Sequence, residues 1–241
     1  MIKFITFDLW ETLIADSPEL DSQRTKYRVE NIHTFLSKKH PAIKTERILA
    51  AHENTWQECS ALWGNARDMA FTDQVRLFVG LIDESLLISL KQSEIRSISE
   101  IYAGAVLQFP PRLIEGARET LTQLSSNGYK LGLICNTGRT PGFMLRKFLE
   151  DYDILKYFDS ALFSDETIIR KPDVEIFKKS LRELRADKQQ TAHVGDSWEN
   201  DILGAQAAGI KTVWISPESQ SQADCPVIKS IAELPSVLNK L

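Results

Sequence analysis

An apolar run, Met1-Ile2-Lys3-Phe4-Ile5-Thr6-Phe7, ends at Asp8 and leads at once into Leu9-Trp10-Glu11-Thr12-Leu13. Runs of β-branched and aromatic residues with little polarity mark a strand buried on both faces, as inside a parallel sheet. That constraint is strong, because such a sheet needs helices on both of its faces. A carboxylate at the end of such a strand lies in the crevice at the carboxyl edge, where open α/β sheets bind ligands. An Asp after a strand is also a common turn or helix-capping residue, and on this segment alone both readings stand.

The rest of the chain supplies the helices. From Asp16 to Gln108 the only prolines are Pro18, at the very start, and Pro41, glycine is sparse, and apolar residues recur at helical spacing, as at Val29, Ile32 and Leu36 or Ile95, Ile98, Ile101 and Ala105. This predicts four or five amphipathic helices, with breaks near His40-Pro41, Gly64-Asn65 and Asp83-Glu84. Pro110-Pro111 closes the block, since X-Pro pairs resist helix.

Beyond it the pattern alternates. Helices are predicted over 115–126, with Gly128 as a left-handed cap, after Gly142, over 174–184, and over 199–208 with Gly209 as cap. Strands are predicted over 130–135, 160–163, 191–195 and 211–215, and a small strand-helix unit ends the chain. Strands alternating with helices imply parallel βαβ units. The first strand precedes the helical block and the others follow it. Residues 1–15 and 110–241 therefore read as one α/β domain, and 16–109 as an insertion.

Composition narrows the function. The 241 residues are 43% hydrophobic and 26% charged, enough for a full core and against disorder. A net charge of −4 gives no basic face for nucleic acid. No apolar stretch reaches the roughly 20 residues of a membrane helix, and the N-terminus begins in the strand without a signal-peptide pattern. Cys59, Cys135 and Cys225 are odd in number and scattered, neither a disulfide framework nor a zinc pattern. The expectation is a cytoplasmic protein acting on a small molecule, with no membrane or nucleic-acid partner; the pattern assigns no oligomeric state.

Three further segments carry candidate chemistry. In Gly195-Asp196-Ser197-Trp198-Glu199-Asn200-Asp201, Asp196 ends a strand and Asp201 falls in the first turn of the next helix. Across such a corner both carboxylates can converge on the crevice beside Asp8. That acidic cluster suits Mg²⁺, which takes oxygen ligands and keeps waters for a phosphate. The two also read as residues that merely complement a helix dipole. Lys171, just before the proline-started helix, is either an ammonium offsetting Asp8 and a bound anion or an ordinary solvated lysine. Cys135-Asn136-Thr137-Gly138 reads as a phosphate cradle or a plain turn.

Taken in order, Asp8, Cys135-Asn136, Lys171 and Gly195-Asp196-x₄-Asp201 resemble the haloacid dehalogenase (HAD) superfamily. The runs Lys171 to Phe177 and Gly195 to Gly209 are especially similar. The resemblance spans the chain and implies a Rossmann-like α/β core with a helical cap inserted between the first two motifs. It also implies Asp8 as nucleophile, Lys171 as its partner, residues 135–137 as substrate-binding, and Mg²⁺ held by Asp8, the Trp10 carbonyl, Asp196 and Asp201. The activity implied is a phosphatase acting through an aspartyl-phosphate.

Two departures qualify this. Phosphatases of the family carry an Asp two residues after the nucleophile as general acid, where this chain has Trp10, whose indole supplies no proton to the leaving group. Halide leaves without a proton, so Trp10 fits 2-haloacid dehalogenase chemistry, and a weakened binding protein is a third alternative. Cys135 replaces the usual Ser/Thr, with Thr137 nearby. The closing motif, of the metal-using form, favours the phosphatase. Trp56 and Trp63 share a helix face, as do Arg24 and Arg28; these read as a core stripe and a solvated face before ligand contacts. His193 reads as a core residue.

Overall fold

The computed structural model describes residues 1–216, 224–238 and 241. In chain order its elements begin with β1 (Phe4–Phe7) and β2 (Ile14–Ala15). Five helices follow: α1 (Pro18–Leu36), α2 (Thr45–Trp63), α3 (Phe71–Ile82), α4 (Glu84–Ser89) and α5 (Gln92–Gln108). Next come β3 (Arg112–Leu113), α6 (Ala117–Ser126), β4 (Lys130–Cys135), α7 (Gly142–Asp151), β5 (Phe158–Phe163), α8 (Ser164–Thr167) and α9 (Val174–Leu184). The last are β6 (Thr191–Gly195), a π-helical turn (Trp198–Leu203), α10 (Gly204–Ala207), β7 (Lys211–Ile215), β8 (Val227–Ile228) and α11 (Leu234–Leu238).

Among the described residues, six strands form a sheet in the order β5–β4–β1–β6–β7–β8, every pairing parallel. The apolar N-terminal run is central: Ile5, Thr6 and Phe7 are wholly buried, with β4 on one side and β6 on the other. Phe7 pairs with Leu133 and with Val194. Asp8, the Cys135-Asn136 turn and Asp196 therefore leave the sheet at one edge, within two residues of the same level. The strand order reverses around β1, which is where open α/β sheets place their ligands.

The helical block α1–α5 has its own apolar core, including Val29, Ile32, Ile48, Phe78, Val79 and Ile98. Its first helix starts where the chemistry demands. Ser17 is extended and its hydroxyl accepts the Leu20 N–H at 3.2 Å, with Pro18 in the first turn. The chain enters the block through β2 and leaves through β3, and these two pair antiparallel, Ile14 with Leu113 and Ala15 with Arg112.

A second contact closes the far side of the block onto the sheet edge. Between α2 and α3, Asp68 N–H donates to Ile168 O and Arg170 N–H to Ala66 O, both at 3.2 Å, and Arg67 pairs with Asp173 at 2.5 Å. Asp68 is buried and accepts from Trp63 Nε1 at 3.0 Å, from Arg170 at 3.1 Å and from the Ser164 hydroxyl.

One predicted helix differs. In place of a regular helix over 199–208, the chain makes the π-helical turn and then α10. The Ser197 carbonyl accepts from both Asp201 N–H (2.9 Å) and Ile202 N–H (3.2 Å), widening the turn that carries Asp201. Such widened turns collect at functional sites. Among the described residues no helix is long and apolar enough to cross a membrane.

Candidate active site

Lys171 stands at the middle of the buried polar cluster. Its Nζ donates to Asp8 Oδ1 at 2.5 Å and to Asp201 Oδ1 at 2.6 Å, and all three side chains are at most 7% exposed. Its main chain is fixed as firmly. Asn136 Oδ1 accepts the Lys171 N–H at 2.8 Å while Asn136 Nδ2 donates to the Lys171 carbonyl at 2.9 Å. The turn after β4 thus aims the lysine that precedes α9.

Asp201 is held from two further sides. Its Oδ2 accepts the Ser197 N–H at 3.0 Å, and its Oδ1 lies 3.1 Å from His193 Nε2. His193 is wholly buried on β6, and its other ring nitrogen lies 2.9 Å from the Thr6 hydroxyl. Burial lowers its pKa despite the pull of Asp201, so a neutral ring donates Nε2–H to the carboxylate and accepts from Thr6. The sequence reading of His193 as a core residue is right about its burial and misses this positioning contact. Gly195 makes room for it: a Cβ there would stand 2.3 Å from Asp201 Cγ. Asp196 is fixed through its main chain, whose carbonyl accepts from Trp214 Nε1 at 2.8 Å.

One ammonium serves three carboxylates. Burial would raise Asp201, but Lys171 and the His193 hydrogen bond outweigh it and hold it at about 2. Asp8 goes the other way: burial pushes it up to about 7 against the pull of Lys171, with Asp201 adding to the rise. Asp196 is raised to about 6 by burial and then by Asp201. Lys171 itself is raised, because Asp201 and Asp8 overcome its own burial. Oxygens of Asp8, Asp196 and Asp201 lie within 4.8 Å of one another, and Asp8 Oδ2 is buried without a hydrogen-bond partner. A buried carboxylate oxygen left unpaired is costly, and hard oxygen donors at this spacing fit a divalent ion such as Mg²⁺.

Of the residues expected at the turn after β4, Cys135 is wholly buried, and burial together with Asp8 raises its thiol far above the usual range. Thr137 is committed within the turn. Its N–H donates to Ser164 Oγ at 2.8 Å and its hydroxyl accepts the Asp165 N–H at 3.1 Å. Asn136 and Thr137 line a cavity of about 340 Å³ that also reaches Trp10.

The other walls of that cavity are Arg139 and Arg170, which the sequence reading does not single out as contacts, and Arg24, Arg28, Trp56 and Trp63, which it ranks as ligand contacts only behind a solvated face and a core stripe. Arg24 and Arg28 are 3% and 1% exposed, so theirs is no solvated face. Trp56 and Trp63 meet edge to face at 4.5 Å, with Arg139 stacked on the first ring and Arg170 on the second, each at 4.3 Å. The arginine spacing of four and tryptophan spacing of seven were the available signals, and they say which residues share a face, not what that face meets.

Known proteins agree with this architecture. Glyceraldehyde 3-phosphate phosphatases are 39% identical over 103 residues in Pyrococcus abyssi (43% of this chain, 42% of that protein) and 33% over 134 in Pyrococcus furiosus (54% and 55%). The chain thus spans about half the length of these curated relatives. The structure of 2-haloacid dehalogenase from Pseudomonas syringae pv. Tomato DC3000 aligns with TM-score 0.73 at 22% identity, covering 100% of this chain and 99% of that one. A HAD phosphatase from Thermococcus onnurineus aligns at 0.63 and 23%, over 98% of each. At these identities the likeness is one of fold. The family model of haloacid dehalogenase-like hydrolases matches residues 2–209, from β1 to the end of the Asp201 motif, and the chain belongs to that family.

Proposed function

We propose that the protein is a Mg²⁺-dependent phosphatase of small phosphorylated molecules that works through an aspartyl-phosphate on Asp8. The observation that carries this is the acidic cluster, in which one oxygen each of Asp8, Asp196 and Asp201 lie within 4.8 Å of one another while Asp8 Oδ2 is buried and unpaired. Lys171 supplies one positive charge against three carboxylates, and the like charges left over repel unless a second cation joins them. Displacement of halide by a carboxylate needs no cation. The names of the curated relatives, which are phosphatases, support the same reading.

In this reading Asp8, Asp196 and the Trp10 carbonyl hold Mg²⁺, with Asp201 direct or through water; when bound, the ion supplies neutralisation of the phosphoryl charge. Asp8 attacks phosphorus, the ester P–O bond breaks, and its electron pair leaves with the alcohol oxygen. Water then attacks the phosphorus of the acyl phosphate, releasing inorganic phosphate and restoring the carboxylate. Lys171 keeps Asp8 oriented, and residues 135–137 serve by clamping Lys171 and walling the cavity. Residues 16–109 act as a cap over a core of 1–15 and 110–241, excluding water from the crevice. All three cysteines are unpaired, which supports a reducing, cytoplasmic setting.

Trp10 favours a second reading, a 2-haloacid dehalogenase-like hydrolase. The two are separated by assaying phosphate release and chloride release with and without excess chelator. The phosphatase loses all turnover on chelation and in Asp8→Asn. Chelator-resistant chloride release from 2-chloropropionate would overturn it in favour of the dehalogenase.

A further inference from the structure

We propose that the cavity beside Trp10 receives a second anionic group, so that the substrates are phosphate monoesters also bearing a carboxylate or another phosphoryl group. This rests on the phosphatase reading above and adds the substrate class to it. The argument begins with a charge inventory of the walls.

Four arginines line the cavity, and three of them are paired: Arg24 with Asp16, Arg139 with Asp21 at 3.4 Å, and Arg170 with Asp68 at 3.1 Å. Arg28 has no carboxylate partner among the described residues. It donates Nε–H to the Tyr102 carbonyl at 2.9 Å and lies 4.9 Å from that ring, while its Nη1 is buried and unpaired. Burial lowers its pKa only to about 10, so it remains charged at neutral pH. Arg139 Nε, in the same wall, is also buried without a partner.

A guanidinium removed from water without a counter-charge is strongly unfavourable, and two unpaired guanidinium donors on residues that line one cavity call for an anionic acceptor. The planar fork matches carboxylate and phosphoryl oxygens. Stacking on Trp56 and Trp63 holds the Arg139 and Arg170 planes in place before any ligand arrives. The volume of about 340 Å³ suits a small molecule. Trp10 and Asn136 line the same space, and they adjoin Asp8 in the chain and Lys171 by hydrogen bonds. The cavity lined by Arg28 therefore borders, through Trp10 and Asn136, the segments that carry Asp8 and Lys171.

The test is calorimetric titration of the inert Asp8→Asn chain, with Mg²⁺, using phenyl phosphate, 4-carboxyphenyl phosphate and 1,4-phenylene bisphosphate. At least one doubly anionic ligand is expected to bind about tenfold or more tightly than phenyl phosphate, as for a hydrogen bond to a charged group. The two arms tell carboxylate from phosphoryl. Adding Arg28→Gln should bring the ratio close to one, and Arg28→Lys should restore part of it. Equal binding of all three ligands overturns the proposal, whether or not the Arg28 variants fold. Turnover of phenyl phosphate by the unmodified protein is read separately. Turnover with equal binding sinks the anion pocket alone, whereas unequal binding without turnover of any ester sinks the phosphatase reading and leaves the pocket standing.

Discussion

Trp10 is half-buried in the wall of the cavity, at the position where phosphatases of the family carry a proton-donating Asp. Without that donor, esters with good leaving groups, such as aryl and acyl phosphates, should outrun alkyl phosphates. Trp10→Asp should raise alkyl phosphate turnover by about 10² or more. Equal wild-type rates on both classes would show that another group donates the proton. Glu11 is poorly placed for it, since its carboxylate accepts the Asp16 N–H at 3.1 Å. His52 bears on stability instead. It is buried between the Tyr102 hydroxyl (2.8 Å) and the Thr25 hydroxyl (3.3 Å), and burial, aided by Arg139 and Arg28, lowers it from 6.5 to about 3. Native protein thus resists taking a proton that the unfolded chain accepts. The stability is fully present above pH 6.5 and is lost as pH falls toward about 3. The loss is capped at roughly 5 kcal/mol by the size of the shift. His52→Gln should flatten that acid limb in urea unfolding measured across the window; an unchanged limb would refute the assignment.

At the scale of elements, the corner from β6 into the π-helical turn is the most sensitive. Gly195→Ala would drive a methyl into the Asp201 carboxylate. Overpacking of this kind costs about 1–3 kcal/mol, and displacement of Asp201 should weaken Mg²⁺ binding by calorimetry more than it lowers Tm suggests. A variant with native metal affinity would show that Asp201 does not need its present approach. Much of the element pattern was legible. The predicted spans 130–135, 174–184, 191–195 and 211–215 match β4, α9, β6 and β7, because each is a buried run or amphipathic stretch bounded by turn residues. The breaks near Pro41, Gly64 and Asp83 fall between helices as expected. β2 and β3 were illegible, since two residues have no period and only their mutual pairing makes them strands. The π-helical turn was hidden too, because it is a shift in hydrogen-bond register rather than in side-chain pattern. The convergence of Asp8, Lys171, Asp196 and Asp201 could be read from motif order. The Arg28 wall could not, because burying an arginine depends on what packs opposite.

Across the whole molecule, the helical block touches the sheet edge through the Asp68 contact, whose acceptor oxygens hold Arg170, Ser164 and Trp63 together. Asp68→Ala leaves a mostly buried guanidinium unpaired and should cost up to about 3–5 kcal/mol. It should also speed amide exchange in 64–70 and 168–170 and raise KM more than it lowers kcat. Unaltered exchange there would mean that closure is carried elsewhere. The β2–β3 pair has a different consequence. Because Ala15 and Arg112 are cross-strand neighbours, the entire block enters and leaves the core at one spot. A two-residue turn is enough to join such strands, so the covalent path of the core survives exchange of everything between them, and only side contacts such as that of Asp68 must be remade. Swapping it would replace Arg24, Arg28, Trp56 and Trp63 while leaving Asp8, Lys171, Asp196 and Asp201 in place. In the proposed reading, the choice of molecule and the chemistry done to it can therefore drift independently.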